Sequence, residues 1–366
     1  MAPFLTVLLL LGATIQAQEP PCPDLAQFFS PPREFSGPGK YSSLLVFQNG
    51  SKVTKPEDWP ARRAEIKATW EQIMGAWPPL LTNGTIAVIE TMNRENFAQK
   101  RVNVVVARGL TNAGWLLMPR GTGPFPAVVV PYYEPESSIG LGKVKLRDFG
   151  VELARRGFAT LSIGSPGGDA RAPDVAGAAC QPLSFLAYIA SNCRLALANL
   201  SEVDPKRIGI VGHSYGGKWA MFAACLDEGF ACGVWSDPGI VFDEARPNVN
   251  YWEPWYLGKD SKFTRKPGVI TKENPAAGAY RELVANGHDL HELMALMAPR
   301  PFLVSGGSED QRERWEPLNR VCEVYDLLGA SNRVGMTNRP RHDPTEESNG
   351  QIYRFFECAL KPPKAK

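Results

Sequence analysis

Ser214 is the residue of this sequence whose surroundings best fit covalent chemistry. It lies in the run Gly212-His213-Ser214-Tyr215-Gly216, directly after the apolar segment 208–211 and before a segment with helical periodicity. Glycines on both sides of a serine allow a tight strand-to-helix turn that presents the hydroxyl at the carboxyl edge of a sheet. The pattern predicts a nucleophilic serine rather than an ordinary glycine-rich turn.

A serine hydroxyl needs a base to remove its proton, and the chain has four histidines from which to choose. His213 is adjacent to the serine, while His288 and His291 precede the penultimate predicted strand. His342 alone follows the last predicted strand, in a loop after the nucleophile in the chain. We therefore predict that His342 is the general acid and base.

Two carboxylates are candidates for the acid that orients this imidazole. Asp310 follows the predicted strand 300–307, and Asp237 follows the predicted strand 230–236, so either loop could reach the histidine. We favour Asp310, because the loop after the penultimate strand commonly supplies the acid, and Glu309 is a weaker neighbour. The remaining aspartate would serve as a turn or capping residue.

The negative charge of a tetrahedral intermediate requires hydrogen-bond donors. The amide N–H of Tyr215, the residue after the nucleophile, is placed for this role by the turn. A second donor is expected from the loop after strand 125–133, around Tyr132, Tyr133 and Glu134, where no HGGG motif occurs.

Histidines and carboxylates also cluster at His288-Asp289-Leu290-His291-Glu292. The two histidines are three positions apart, whereas a zinc-binding HExxH helix places them four apart with the glutamate between. We predict that this run caps and anchors a helix, and that the protein uses no metal and no cofactor.

An aromatic run, Asn248 to Tyr256, includes Trp252 and Trp255. It is either a satellite core or a platform beside Ser214 on which a sugar or aryl ring stacks, since flat apolar faces with polar rims suit such ligands.

Short β-branched runs alternate with helical segments from about residue 101 onward, which predicts the elements that carry these residues. The predicted strands cover 101–109, 114–121, 125–133, 158–164, 207–214, 230–239, 300–307 and 331–336, and the predicted helices cover 145–156, 182–200, 215–226, 315–328 and 347–360. Nearly unbroken apolar strands indicate an α/β fold with a mainly parallel, eight-stranded sheet and helices on both faces, although its first strands follow one another without a helix and are expected to be antiparallel.

The patterns of consecutive segments also predict the domain organisation. Residues 1–17 have an apolar core and small residues at a cleavage site, which predicts a signal peptide. Residues 18–100 read as an extension packed on the core, and 101–366 as the catalytic domain with an insertion at 240–290. We expect a secreted or periplasmic protein with no membrane attachment after signal removal.

Composition excludes some function classes. The 40 basic and 38 acidic residues give a net charge of +2, which offers no basis for binding nucleic acid. Seven cysteines in an exported chain permit disulfides and leave at least one thiol unpaired, but their spacing predicts no pairing.

The residues from about 100 to 360 resemble the α/β-hydrolase superfamily and, within it, the glucuronoyl esterases (carbohydrate esterase family 15). The run 212–218 is similar to that family's G-x-S-R-x-G-K, the run 291–301 to its H-x-L-x-A-L-x-A-P-R-P, and 251–255 to its aromatic loop. The resemblance implies a secreted carbohydrate esterase that cleaves esters between glucuronoyl groups and lignin alcohols. It also implies that Lys218 contacts a substrate hydroxyl, whereas Tyr215 stands where the family has an oxyanion-binding arginine.

These observations predict a secreted serine carboxylester hydrolase that forms an acyl-enzyme on a carbohydrate-linked or aryl ester, either small or attached to a polysaccharide. Two alternatives remain: a prolyl-oligopeptidase-like serine peptidase, and a carbohydrate-binding protein without catalysis.

Overall fold

The computed structural model describes residues 22–361, and the predicted signal peptide lies outside them. A nine-stranded sheet runs through the molecule in the order β1-β2-β3-β5-β4-β6-β7-β8-β9. Its strands are β1 (Ile86–Arg94), β2 (Phe97–Ala107), β3 (Leu110–Pro119), β4 (Phe125–Pro131), β5 (Ala159–Ile163), β6 (Val203–His213), β7 (Cys232–Ser236), β8 (Phe302–Gly306) and β9 (Val334–Asn338).

The prediction of a mainly parallel sheet with an antiparallel start is confirmed. Strands β1, β2, β3 and β5 pair antiparallel, whereas the pairs β5–β4, β4–β6, β6–β7, β7–β8 and β8–β9 are parallel. All eight predicted strands are present with small shifts of their ends. The parallel strands bring their carboxyl ends to one edge of the sheet, where the loops that carry Ser214, Asp237, Asp310 and His342 meet.

Helices cover both faces of the sheet. They are α1 (Trp59–Met74), α2 (Pro135–Ser138), α3 (Phe149–Arg155), α4 (Pro182–Ala198), α5 (Tyr215–Leu226), α6 (Gly278–Ala285), α7 (Leu290–Ala295), α8 (Trp315–Leu327) and α9 (Glu346–Leu360). In β4, Ala127 and Val129 join one buried cluster with α4 and α5, while Val128 and Val130 join another with α3 and α9. Successive side chains of a strand point to opposite faces, so this central strand is apolar throughout.

The ninth strand corrects the expected boundary of the N-terminal extension. Strand β1 and the start of β2 lie within 18–100, and residue 100 falls inside β2. Strand β1 escaped prediction because it is an edge strand whose residues are largely exposed on both faces, so it has no apolar alternation. The sheet therefore begins at Ile86.

The segment before the sheet packs on the rest of the fold through α1. The Trp70 indole donates to the Glu292 carboxylate at 3.0 Å, and Arg63 Nη2 donates to the carbonyl of Leu296 at 2.9 Å. A disulfide joins Cys22 to Cys358, which lies on α9. The first described residue is thus fixed to the last helix.

The other five cysteines have free thiols. Four are buried, and Cys322 is partly exposed. No helix within residues 22–361 is long and apolar enough to cross a membrane.

Candidate active site

Ser214 occupies a sharp turn between β6 and α5. Its backbone has a φ of 55° and a ψ of −116°, a conformation that is rare for a residue with a side chain. A Cβ on Gly212 would overlap the backbone of Gly216, and one on Gly216 would overlap the carbonyl of Pro131, so both glycines are required by close approach. The turn holds the hydroxyl at the carboxyl edge of the sheet, as the sequence predicts.

His342 reaches this hydroxyl from the loop after β9. Its Nε2 lies 2.9 Å from Ser214 Oγ. The loop is held by buried Arg339, whose Nη2 donates to the His342 carbonyl at 2.6 Å and whose Nη1 donates to the Ser305 carbonyl at 2.7 Å. The ring of His213 packs against the His342 ring with centroids 4.7 Å apart. Burial, and then the proximity of His342, lowers the pKa of His213 well below its usual value, so this neighbouring ring stays neutral.

Asp237 contacts the other ring nitrogen of His342. Its Oδ2 lies 2.7 Å from His342 Nδ1, and the carboxylate is fully buried. The other oxygen, Oδ1, accepts backbone N–H groups from Gly307 at 2.6 Å, Asp310 at 3.0 Å and Glu309 at 3.1 Å. These three donors fix the carboxylate, so that Oδ2 faces the imidazole.

This geometry favours Asp237, the second candidate, over Asp310 as the acid. Asp310 is fully buried, and its two oxygens accept the backbone N–H groups of Gly239 at 2.8 Å and Ile240 at 2.6 Å. Burial, and then the charge of Asp237, raises the pKa of Asp310. Asp310 therefore ties the loop after β8 to the loop after β7 and makes no contact with His342. Glu309 is engaged in an ion pair with Arg246.

The expected oxyanion donors lie at the same edge. Tyr215 is the first residue of α5, whose first amide groups have no partner within the helix and whose N-terminus favours negative charge. The Tyr215 side chain is buried, and its hydroxyl accepts a hydrogen bond from Ser165 Oγ at 3.0 Å. On the loop after β4, the Tyr133 side chain lines the same cavity as that of Ser214.

A cavity of about 250 Å³ opens beside Ser214. Polar and aromatic side chains line it together: Tyr133, Ser214, Tyr215, Lys218, Asp237, Arg246, Asn250, Tyr251, Tyr256, Glu309 and His342. Sequence reasoning missed Arg246, Asn250 and Tyr256 as site residues. They lie in or beside the irregular insertion, where no periodic pattern indicates which side chains face the serine.

Lys218 lines this cavity, although it is almost completely buried. Its ammonium donates to the carbonyl of Pro238 and lies 4.4 Å from the centre of the Trp252 ring. Burial lowers the pKa of Lys218 to about 8, against the attraction of nearby carboxylates.

The two tryptophans of the aromatic run have different places. Trp252 is fully buried, its indole donates to the Gly239 carbonyl at 3.0 Å, and it packs on Phe222, which favours the satellite core over substrate contact. Trp255 is only partly buried and stacks on Tyr251 with centroids 4.5 Å apart and an interplanar angle of 12°. Tyr251 and Tyr133 border both the cavity and a neighbouring groove of about 400 Å³ that Trp255 lines. Trp255 thus remains a candidate for binding a flat ring.

The histidine and carboxylate cluster around α7 has a structural arrangement. Asp289 caps the helix by accepting the Leu290 N–H, and His288 Nδ1 lies 2.8 Å from Glu292 Oε2. Within residues 22–361, no group of three or more histidine, cysteine or acidic side chains is arranged to hold a metal ion.

Comparison with known proteins finds esterases that are similar to this chain in sequence and in fold. A 4-O-methyl-glucuronoyl methylesterase of Neurospora crassa is 25% identical over 366 aligned residues, covering 91% of this chain and 85% of the relative. The chain resembles the glucuronoyl esterases and has the α/β-hydrolase fold. A glucuronoyl esterase from Solibacter usitatus superposes with a TM-score of 0.68 at 17% identity, over 87% of this chain and 97% of that one. A carbohydrate esterase family 15 glucuronoyl esterase from Caldicellulosiruptor kristjansonii gives 0.61 at 22% identity, over 88% and 91%.

No protein-family model matches the chain. The likeness to the solved glucuronoyl esterases confirms the predicted fold. The curated relatives confirm the prediction of a carboxylic ester hydrolase and support a carbohydrate esterase.

Proposed function

We propose that this chain is a serine esterase that hydrolyses carbohydrate-linked carboxylic esters through an acyl-enzyme. The observation that carries the proposal is the hydrogen-bonded series Ser214, His342 and Asp237, with distances of 2.9 Å and 2.7 Å, at the wall of a cavity. Nucleophile, base and acid lie in hydrogen-bond contact in the order that acyl transfer needs.

In the first half of the reaction, Ser214 Oγ attacks the ester carbonyl carbon while its proton passes to His342 Nε2. The negatively charged Asp237 accepts the Nδ1–H of His342, which keeps Nε2 free as a base and stabilises the imidazolium that forms. The carbonyl oxygen becomes an oxyanion beside the amide of Tyr215. When the intermediate collapses, the bond to the alcohol oxygen breaks and His342 returns its proton to that oxygen.

In the second half, the acyl group is bound to Ser214 as an ester. A water molecule gives a proton to His342 Nε2 and attacks the acyl carbon. Collapse of the second intermediate releases the carboxylic acid and returns the proton to Ser214 Oγ, which regenerates the starting enzyme.

The cavity wall supports a hydroxylated acyl group. Polar donors and acceptors are supplied by Lys218, Arg246, Asn250 and Glu309, and Tyr251 supplies an aromatic surface. A few placed polar groups combined with flat rings suit a sugar, whose hydroxyls form hydrogen bonds while its ring faces stack. The neighbouring groove along Trp255 would take the alcohol part of the ester, either an aryl group or another sugar.

Export from the cytoplasm forms part of the proposal. The Cys22–Cys358 disulfide lies directly after the predicted signal segment, and disulfides persist mainly in oxidising compartments. A secreted or periplasmic location fits a polysaccharide-linked substrate.

The experiment uses the purified protein with methyl-glucuronoyl, acetyl and feruloyl esters, a proline-containing peptide substrate, and a fluorophosphonate probe. We expect ester turnover and covalent labelling, both lost in Ser214→Ala and both retained in Ser201→Ala, a matched change at an exposed serine that contacts Glu202. Peptide hydrolysis without ester turnover, or activity that survives Ser214→Ala, would overturn the proposal. Absence of both labelling and turnover would instead favour a binding protein.

A further inference from the structure

The residue after the nucleophile leaves a chemical role unfilled in this chain. Tyr215 stands where the glucuronoyl esterase pattern has an arginine. Its ring is buried between Tyr133 and Tyr256, and its hydroxyl is already bonded to Ser165. No cationic side chain follows Ser214 directly, so a side-chain donor for the oxyanion must come from elsewhere.

Tyr133 supplies a hydroxyl at the nucleophile itself. Its side chain lines the same cavity as Ser214 and His342, and its ring packs on that of Tyr215, the residue after the nucleophile. The Ser214 hydroxyl has one proton, which it donates to His342 Nε2 as the base requires. Oγ then has no proton left to give, so a phenol beside it can act toward Oγ only as a donor.

Two aromatic rings and one backbone hydrogen bond hold Tyr133 in place. It packs on the Tyr215 ring with centroids 4.9 Å apart and meets the Tyr132 ring edge-on, also at 4.9 Å. Its carbonyl accepts the Ser165 N–H at 3.0 Å. Because α5 approaches β4 so closely at Gly216, the residues after β4 are brought beside Ser214. The phenol is thus placed before substrate arrives, which is the condition for effective electrostatic stabilisation.

We propose that the Tyr133 hydroxyl is a catalytic oxyanion donor, which supplies in this chain the side-chain hydrogen bond that Tyr215 does not. The inference rests on the proposed esterase function. When Oγ bonds to the carbonyl carbon, the oxyanion forms on that same carbon, next to Oγ. The Tyr133 O–H is directed at the oxyanion by rotation about its own C–O bond, without movement of the ring. No proton is transferred in this step.

Two further features suit a neutral donor. Burial is the main cause that raises the pKa of Tyr133, so the hydroxyl keeps its proton at neutral and mildly alkaline pH. About 38% of the residue is exposed, and it lines both the cavity and the groove, so it can contact a bound ester.

The test is Tyr133→Phe, which removes one oxygen and leaves the ring contacts and the backbone intact. We expect kcat on a 4-nitrophenyl ester to fall by about 10²–10³-fold, as for loss of one oxyanion donor, while KM changes little. Affinity for a trifluoromethyl ketone, which forms an anionic tetrahedral adduct with serine, should fall by a similar factor. The control is Tyr188→Phe, which removes a phenol that donates to the Pro79 carbonyl at 3.0 Å, outside the cavity lining.

The outcomes separate this inference from the function on which it rests. If Ser214→Ala abolishes turnover but Tyr133→Phe retains kcat and ketone affinity within about twofold of the unaltered protein, the inference is overturned and the esterase stands. A change confined to KM also overturns it, because that result assigns Tyr133 to substrate binding. If the unaltered protein has no Ser214-dependent turnover, the proposed function itself fails.

Discussion

Replacing Asp237 by asparagine should lower kcat by about 10⁴-fold, equivalent to about 5.5 kcal/mol of transition-state stabilisation. Asp237 Oδ1 accepts three backbone N–H groups, from Gly307, Glu309 and Asp310. An asparagine at this position must keep its carbonyl oxygen toward these donors, because its NH2 group would otherwise face all three of them. Its NH2 group then points at His342 Nδ1.

This orientation gives His342 the wrong tautomer. A donor facing Nδ1 requires that nitrogen to be the acceptor, so the ring proton moves to Nε2. Nε2 then cannot accept the proton of Ser214, although the distances change little. Asparagine also tolerates the backbone φ of 52° at this position better than most residues, which limits damage to the fold.

Asp310→Asn is the matched comparison. Each Asp310 oxygen accepts one backbone N–H, so asparagine loses one of the two bonds and places two donors face to face. We expect a loss of about 1–3 kcal/mol in the free energy of unfolding, with kcat reduced by less than about tenfold since the His342 tautomer is unaffected.

The assay measures kcat on a 4-nitrophenyl ester at saturating concentration, together with urea unfolding of each variant. Nitrogen-15 NMR of the histidine rings reports which nitrogen carries the proton, and should show the shift to Nε2 only in Asp237→Asn. A larger loss of kcat in Asp310→Asn, or equal small losses in both, would refute the assignment of Asp237.

Three further predictions concern stability and backbone geometry. Cys22→Ser removes the Cys22–Cys358 disulfide and should lower the free energy of unfolding by about 2–5 kcal/mol. Without reductant, the Tm of this variant should be lower than that of the parent protein and equal to that of the parent after reduction. Gly216→Ala should destabilise the protein by at least about 1–3 kcal/mol in urea unfolding, because the new methyl overlaps the Pro131 carbonyl. Lys218 has a pKa of about 8 when folded, against about 10.4 unfolded, so its buried charge costs stability fully below pH 8 and progressively less above it. The stability of Lys218→Met relative to the parent should therefore fall by about 1 kcal/mol between pH 7 and pH 9, and a constant difference would contradict this.

The parallel strands were predictable from sequence, and the edge strand was not. Strands such as β4 are covered by helices on both faces, so they read as unbroken apolar runs bounded by turns. Strand β1 pairs with β2 only and is exposed almost throughout, so its hydrogen bonds rather than its side chains place it in the sheet. A pattern of side-chain polarity contains no information on such pairing.

Ser214 and His342 were predictable because a local motif specifies one and chain order selects the other. The acid was not, since the loops after β7 and β8 meet at the same sheet edge with an aspartate on each. What distinguishes them is which backbone amides occupy their oxygens: Asp310 uses both oxygens to hold Gly239 and Ile240, whereas Asp237 keeps one for His342. Which groups contact each carboxylate oxygen depends on the conformation of the loop backbone, and residue type and spacing do not specify that conformation.

The part of the cavity wall that the 240–290 insertion forms was the least predictable part of the site. Residues 248–251 all have positive φ, including the β-branched Val249 at 46°, so the backbone there follows neither helix nor strand periodicity. Between the two tryptophans, Glu253 is extended, with a φ of −104° and a ψ of 141°. Trp252 therefore lies in the core and Trp255 lines the groove, although three positions on a regular helix would place them on one face.

The position of Tyr133 beside Ser214 was likewise not predictable from sequence patterns. Tyr215, taken alone, indicates only that no charged side chain follows the nucleophile. In the fold, Tyr215 provides the aromatic surface on which the Tyr133 ring rests, and that contact holds a second phenol at Ser214. The two residues are 82 positions apart, so only the approach of α5 to β4 connects them. A neutral phenol in this place would donate to the oxyanion without adding a buried cation, whose desolvation the Lys218 pKa already shows to be costly here. Tyr215→Arg should therefore not recover activity in the Tyr133→Phe variant. An arginine at position 215 has no ring to stack on the ring at position 133, so the loop after β4 would also lose that support.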